Sequence, residues 1–350
     1  MQEQSTLILH KQTLPFLNIS LYLNDIKPVQ SLTIENTSET DSASLEIKIT
    51  ADLPCIEPFN YSVQFVPAKK DVKIPLENLK VNRDFLNKLS ETEKANITIE
   101  VYEKEVAILN ETIAINIQPL EHFGGFQVLP ELIAAYVTPN HPYIYHIKRK
   151  AIEILEKQGL KTAFEGYQSN DPERVLQIMS AIYSAIQSEE IIYSSLPPGY
   201  EEMGQRLRLL NTIQQEKFGN CIDISLLFAA CLEAVDLNPI LIIVRGHAFV
   251  GCWLQDEKFS EIVNDDKTAI TKRLSKGIRE MAAVEATSVC KGNNVKFSDA
   301  LNAGEAQLVQ KEDFLLSVDI KRARTLRIRP LPLLTNSTGT QLDEEAIKQT

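Results

Sequence analysis

The chain has 350 residues, of which 44% are hydrophobic, and a formal net charge of −11 at pH 7. This length and apolar content predict a soluble globular protein of two domains, and the negative charge disfavours nucleic-acid binding, because phosphate contacts need clustered cations. The five cysteines are an odd number without a C-x-x-C pair, which indicates reduced thiols in a cytoplasmic protein and disfavours disulfides and a zinc site.

Residues 1–120 are predicted to form an antiparallel β-sandwich of immunoglobulin-like type. The first residues lack a basic segment leading into a long apolar run, so neither a signal peptide nor a membrane span is expected. A short helix is expected within 82–95, and nothing in this part carries chemistry, which favours a structural or protein-binding role. The sandwich prediction rests on five short segments in which polar and apolar residues alternate, as in strands with one buried face: 44–50, 61–66, 72–76, 96–102 and 111–117.

From residue 121 onward, apolar residues recur at helical spacing. Helices are predicted in 130–137, 141–159 and 169–187, the last with Asp171 as its N-cap and Pro172 at its first position. The histidines of this region fall at the edges of the predicted elements, and we interpret them as surface or capping residues: His122, His141 and His146.

Residues 221–235 read CIDISLLFAACLEAV and are apolar around nearly the whole circumference of a helix, which is typical of a buried, central helix. Gly219 and Asn220 provide a tight entry, so Cys221 falls in the first turn. There the free N–H groups and the positive end of the helix dipole stabilise a thiolate. Asp223 compensates the same dipole, and its negative charge opposes thiolate formation.

A histidine returns to the level of this cysteine. The helix extends about 22 Å, and after a turn the strand ILIIVR returns about 20 Å, which brings His247 close to Cys221. In the strand that begins at His247, Cys252 points to the opposite face, and Cys231 lies about 15 Å from Cys221 along the helix. Cys221 alone therefore combines a helix start with a nearby base, as a cysteine nucleophile requires.

A carboxylate is expected to orient the imidazole, and two lie within reach. Glu285 interrupts the apolar segment MAAVEATSV, a predicted strand in which an isolated carboxylate needs a partner such as His247. Asp265 is the alternative third member, in a segment that reads as a loop or a helix cap.

Three further features each have a functional and a structural interpretation. Gln205 is a candidate side-chain donor for an oxyanion hole, beside the backbone N–H of Cys221, or forms a structural hydrogen bond. Trp253 either lines a substrate groove or is a core aromatic. The basic stretch 321–329 could contact nucleic acid, but it is better interpreted as a solvated edge strand or a docking segment.

The order of these motifs resembles a known family. The pattern G-x-C-x-D-x-x-x-L-hydrophobic-x-A, followed by a strand, GHAF and VEAT, is similar to the transglutaminase-like branch of the papain-type cysteine enzymes, over about residues 175–292. The resemblance implies Cys221 as the nucleophile and His247 as the general base and acid. It implies Glu285 as the third member, where the family commonly has Asp in a D-P-T context.

A narrower resemblance covers nearly the whole chain. The succession of sandwich, HFGG, PELIAAYVTPNHP, GQRLR and RTLRIRPLP is similar to the N-terminal part of large bacterial proteins that continue into a superfamily 1 helicase and a nuclease. Those proteins are suspected of roles in defence against phage. The chain contains no G-x-x-x-x-G-K-[ST] loop, so the helicase and nuclease activities are not transferred to it.

The resemblances imply an α+β fold: an immunoglobulin-like antiparallel β-sandwich (1–120), a papain/transglutaminase-like domain with a helical layer packed on an antiparallel sheet (121–333), and a polar tail (334–350). The expected activity is acyl transfer through a cysteine thioester, as in a protease or amidase acting on a protein or peptide, in a setting of bacterial anti-phage defence. The alternative is an inactive transglutaminase fold that serves as a recognition or scaffolding module. We expect no cofactor or metal, a cytoplasmic location, no membrane or nucleic-acid partner, and a helicase–nuclease module or another defence protein as partner.

Overall fold

The computed structural model describes residues 6–195, 204–275, 277–310 and 313–333, so the predicted polar tail lies outside the described residues. The chain is α+β, with sheets that are mainly antiparallel, as predicted. In the described ranges, no helix is both long enough and apolar enough to cross a membrane.

The N-terminal strands form two sheets. In chain order their bounds are β1 (Leu7–Thr13), β2 (Phe16–Leu17), β3 (Val29–Asn36), β4 (Leu45–Ala51), β5 (Phe59–Val63), β6 (Asp71–Lys73), β7 (Glu93–Glu103) and β8 (Val106–Ile117). The sheet orders are β1-β3-β6 and β2-β8-β7-β4-β5. Neighbouring strands run antiparallel except β2, which pairs in parallel with β8. Two short helices lie between the strands, α1 (Ile19–Leu23) and α2 (Arg83–Leu86).

Alternation of polar and apolar residues produces these strands. In β7, Ile97, Ile99 and Val101 are fully buried, whereas Thr98 and Glu100 between them are partly exposed. Burying one such aliphatic side chain contributes about 1.5–3 kcal/mol, so one face of each strand is fixed toward the core. That core is continuous with the helices that follow, and the predicted domain boundaries therefore stay a prediction.

The helical layer follows the predicted segments. It contains a 3₁₀ helix (Pro130–Tyr136), α3 (Pro142–Lys157), α4 (Pro172–Gln187) and α5 (Leu210–Glu216). Asp171 caps α4 by accepting a hydrogen bond from the Glu173 N–H at 3.0 Å, with Pro172 at the first helical position, as predicted. The same part of the chain contains four two-residue strands: β9 (His122–Phe123) before the helices, β10 (Ile192–Tyr193) and β11 (Gln205–Arg206) between α4 and α5, and β12 (Phe218–Gly219) after α5.

The second half of the chain is built around one helix and one sheet. The elements are α6 (Cys221–Glu233), β13 (Pro239–Val244), β14 (His247–Trp253), β15 (Val263–Asn264), α7 (Lys267–Leu274), β16 (Met281–Val284), a 3₁₀ helix (Ala286–Val289), α8 (Phe297–Gln310), β17 (Phe314–Asp319) and α9 (Ile320–Thr325). The sheet order is β15-β17-β13-β14-β16, and all pairs are antiparallel.

Helix α6 is buried on all sides, as its composition predicts, with every residue from Cys221 to Leu232 inside. It packs on one face of the sheet, against side chains that include Val250 and Cys252. The other face of the sheet is covered by α7 and α8 and carries Phe249 and Trp253. The sheet is therefore buried on both faces, which suits its nearly continuous apolar strands.

The basic stretch 321–329 is helical at its start, so the expectation of a solvated edge strand is wrong. Asp319 accepts a hydrogen bond from the Arg322 N–H at 2.8 Å and caps α9. Arg324 forms a bidentate ion pair with Glu233 at the end of α6, at 2.8 and 3.0 Å. It also donates to the carbonyl of Val137, so this arginine joins α6 to the helical layer.

A buried carboxylate holds the helical layer to the segment that leads into α6. Glu189 Oε1 lies 3.0 Å from His146 Nε2 and 2.6 Å from Lys150 Nζ. Glu189 Oε2 lies 2.6 Å from Lys217 Nζ and 3.2 Å from Tyr143 Oη. Burial alone would raise the pKa of Glu189, but the hydrogen bonds and charges of the lysines outweigh it and lower the pKa to about 2.

We expect Glu189→Gln to lower the free energy of unfolding by about 2–3 kcal/mol at pH 7, because the lysines lose the charge that they bind. Since the folded-state pKa of Glu189 lies below its ordinary value of 4.5, this stabilisation is fully present above pH 4.5 and lost as the pH falls toward 2. Urea unfolding of both proteins at several pH values measures the difference. Glu190→Gln, at an exposed neighbouring carboxylate, is the control and is expected to change little.

Candidate active site

The start of α6 is closed by reciprocal hydrogen bonds that place Cys221 at its first position. Asn220 Oδ1 accepts from the Asp223 N–H, and Asp223 Oδ2 accepts from the Asn220 N–H, both at 3.0 Å. Cys221 follows the cap directly and is 5% exposed. Cys221 therefore lies in the first turn of α6, as predicted.

The negative charge at this helix start is paired. Burial raises the pKa of Asp223, and hydrogen bonds from Asn220 and Arg208 oppose that rise. The Arg208 backbone N–H donates to Asp223 Oδ1 at 2.9 Å, and its guanidinium lies 3.2 Å from Oδ2. The arginine therefore offsets the carboxylate charge that would otherwise oppose a thiolate at Cys221.

His247 lies between a carboxylate and the cysteine. It is the first residue of β14, and its Nε2 lies 2.8 Å from Glu285 Oε2. Its side chain also interacts with that of Cys221. Burial would lower the pKa of His247, but its hydrogen bonds to Cys221 and Glu285 outweigh this effect and raise the pKa to about 9. The imidazole is therefore protonated at neutral pH.

Glu285 differs from the sequence prediction in its place on the backbone. Strand β16 ends at Val284, so Glu285 is not in the middle of a strand but caps the 3₁₀ helix that follows. Its Oε1 accepts from the Thr287 N–H at 3.2 Å and the Thr287 hydroxyl at 2.7 Å. Burial would raise the pKa of Glu285, but the hydrogen bonds from His247 and Thr287 lower it. A capping position leaves Glu285 Oε2 directed at His247.

Helix α8 supports this carboxylate through residues that the sequence interpretation did not identify. Gln307 Nε2 lies 3.3 Å from Glu285 Oε2, and the Ala300 carbonyl accepts from the Glu285 N–H at 2.9 Å. Gly304 lets the helix approach, since an added Cβ there would lie 2.6 Å from the Ala283 carbonyl oxygen. In the sequence, only the small residues Ala300 and Gly304, one helical turn apart, indicate this contact.

The structure separates the other predicted site residues from the histidine. Asp265 is exposed and follows β15, which pairs with β17 on the far side of β13, so Glu285 and not Asp265 reaches His247. Trp253 is 2% exposed and lies in the core beside Phe259, with its indole N–H on Asp319, and does not line a groove.

Gln205 lies in β11, where its backbone pairs with Phe123 of β9. Its side-chain Nε2 is buried and has no hydrogen-bond partner among the described residues. A buried N–H group without a partner costs free energy, so this amide is available to a group that can accept a hydrogen bond. Its role in an oxyanion hole stays a prediction.

Tyr193 is a site residue that sequence analysis missed. Its side chain interacts with Cys221, although the residue is 42% exposed. Burial, and then this interaction with Cys221, raise the pKa of Tyr193 to about 12, so the hydroxyl keeps its proton at neutral pH. A tyrosine in a two-residue strand gives no periodic signal from which this contact could be predicted.

The remaining four cysteines are buried. Burial raises the pKa of Cys55 and Cys290 to about 11 and that of Cys252 to about 12, and it raises the pKa of Cys231 as well. Such thiols are poor nucleophiles. Within the described residues, no three His, Cys, Asp or Glu side chains cluster as a metal site would require.

Comparisons with known proteins give little further information about this site. No protein-family model matches the chain, and no curated protein matches its sequence. Among solved structures, the chain is similar to a Parabacteroides distasonis protein described as a "putative protease", with 9% sequence identity and a TM-score of 0.22. The match covers 63% of this chain and 40% of that protein. A similarity of this size carries no argument for function.

We expect Glu285→Gln to lower the pKa of His247 below about 9, because the imidazolium loses its carboxylate partner. The ring-proton NMR signals of the histidines, followed against pH and assigned with a His247→Ala variant, measure this pKa. Because the pKa is raised above 6.5, the stability from this pair is fully present below pH 6.5 and lost as the pH rises through about 9.

Asp265→Asn is the matched control and should leave the pKa of His247 unchanged. A fall in the His247 pKa in Asp265→Asn, together with no change in Glu285→Gln, would contradict the geometry of the pair.

Proposed function

We propose that this chain is a cysteine hydrolase, a protease or amidase that acts on a protein or peptide through a thioester at Cys221. The observation that carries the proposal is the position of His247, whose Nε2 lies 2.8 Å from Glu285 Oε2 and whose side chain interacts with Cys221 at the start of α6. A nucleophile, a base and an orienting acid in this order suit acyl transfer.

In the proposed reaction the protonated His247 pairs with the Cys221 thiolate, and Glu285 holds the ring. The thiolate attacks the carbonyl carbon, a C–S bond forms, and the carbonyl electron pair moves to oxygen. The Cys221 backbone N–H at the helix start donates to this oxyanion. His247 then gives its proton to the leaving amine as the C–N bond breaks, and it later takes a proton from the water that hydrolyses the thioester.

The proposal includes a more specific assignment of the fold. We interpret the two N-terminal sheets as an immunoglobulin-like sandwich in 1–120, and the part in 121–333 as a transglutaminase-like domain. A buried helix that begins at the cysteine and packs on an antiparallel sheet, with the histidine on a central strand, supports this interpretation. We propose bacterial anti-phage defence as the setting and a helicase–nuclease module or another defence protein as the partner, from the sequence resemblance alone.

The second candidate function is an inactive fold that serves as a recognition or scaffolding module. The burial of Cys221, which is 5% exposed, favours this alternative. Chemical reactivity of the sulfur separates the two functions, because a scaffold does not need a reactive thiol.

We expect iodoacetamide at pH 7 to alkylate Cys221 at least about tenfold faster than the other four cysteines, because only Cys221 has an imidazolium partner. Peptide mass spectrometry measures the rate at each cysteine. His247→Ala should remove the advantage, and Cys221→Ala should abolish hydrolysis of a peptide library. If Cys221 reacts no faster than the buried thiols, the scaffold is the better interpretation.

The pH dependence of hydrolysis provides an independent test. We expect the rate to fall as the pH rises through about 9, because His247 loses the proton that the leaving amine needs. The initial rate of library hydrolysis between pH 6 and 10 measures this limb. In Glu285→Gln the limb should move to lower pH, whereas Asp265→Asn should keep it in place.

A further inference from the structure

Tyr193 is held by the two segments that carry the site. In β10, the Ile192 N–H donates to the Lys217 carbonyl at 2.8 Å and the Ser194 N–H to the Gly219 carbonyl at 2.9 Å. On the other side, the Lys291 N–H donates to the Ile191 carbonyl at 2.7 Å. The backbone of Tyr193 is thus fixed to the strand just before Cys221 and to the loop after Glu285.

This framework determines where the hydroxyl lies. Tyr193 faces Gly219, two residues before Cys221, across the parallel β10–β12 pair, and its side chain interacts with that of Cys221. Because the phenol keeps its proton at neutral pH, it is an O–H donor beside the sulfur. A rigid donor next to a nucleophile lies close to any oxygen of the group that the nucleophile attacks.

We propose that Tyr193 is a catalytic residue whose hydroxyl donates a hydrogen bond to the oxyanion formed when Cys221 attacks a carbonyl. This inference rests on the proposed function and names a residue that the sequence motifs do not include. Tyr193 would work with the Cys221 backbone N–H, so one donor comes from α6 and the other from β10.

The proposed step conserves atoms and charge. As the thiolate lone pair forms the C–S bond, the carbonyl oxygen gains a negative charge and the Tyr193 O–H donates a hydrogen bond to that oxygen. When the oxyanion collapses and the leaving group departs, the C=O bond returns and the hydrogen bond weakens. Tyr193 keeps its proton throughout, so its contribution is greatest in the transition state.

Gln205 is the competing donor. Its Nε2 is buried without a partner among the described residues, as a donor waiting for an oxyanion would be. Tyr193 differs from it in its backbone pairing with Gly219, two residues before Cys221, and in the interaction of its side chain with Cys221, and this proximity favours Tyr193.

Two small reagents that attack the same sulfur test the proposal. Acylation by p-nitrophenyl acetate passes through a tetrahedral oxyanion, whereas alkylation by iodoacetamide displaces iodide and forms none. We expect Tyr193→Phe to slow acylation of Cys221 at least about tenfold and to change alkylation less than about threefold. Rates are measured at pH 7 by p-nitrophenolate release and by mass spectrometry, with Cys221→Ala as the background. Tyr145→Phe, which removes an exposed hydroxyl elsewhere, is the control.

Each result of this experiment either supports or overturns the role of Tyr193. A loss of acylation alone supports the proposal, and thermal unfolding shows that the variant is folded. Parallel changes in both rates, or no change in either, overturn the role of Tyr193 but leave a reactive Cys221. Acylation that falls in Gln205→Ala and not in Tyr193→Phe assigns the donor to Gln205 and also overturns it. A wild-type Cys221 inert to both reagents overturns the hydrolase and this inference with it.

Discussion

Burial of the apolar helix α6 on every side is the constraint on which the rest of this structure depends. A helix with no polar stripe needs a sheet on one side and helices on the other, and the chain provides both. The same burial determines the chemistry, because a buried helix start must satisfy its free N–H groups locally. Asn220 and Asp223 do so, and they leave Cys221 in the first turn beside the sheet that returns the histidine.

Charges inside this core occur with partners. Asp223 has Arg208, and His247 has Glu285, so each buried ion near the sulfur has an opposite charge within about hydrogen-bond distance. Glu189, farther from the sulfur, is satisfied by lysines and a tyrosine in the same way, but its pairs hold helices together and face no nucleophile.

The features that could be predicted from the sequence are those that depend on a periodic pattern of residues or on the length of a helix or strand. The alternation of polar and apolar residues predicts most of the N-terminal strands. The similar lengths of helix α6 and strand β13 predict that His247 lies near Cys221. Strand β1 was missed because the exposed Ile8 is apolar like its buried neighbours, and β3 because two successive polar residues, Gln30 and Ser31, interrupt the alternation. The capping position of Glu285, the approach of α8 at Gly304 and the contact of Tyr193 with the sulfur depend on tertiary packing, and neither periodicity nor spacing encodes them.

The order of strands in the central sheet has a consequence for the synthesis of the protein. Strand β17 lies between β15 and β13, although it is the last of these strands to be made. Until residues 314–319 leave the ribosome, β13 presents an unpaired apolar edge to other chains, which is a site for aggregation or chaperone binding. The sheet that carries His247 is thus completed late in translation, so Cys221 gains its finished surroundings only after nearly all of the described chain has emerged.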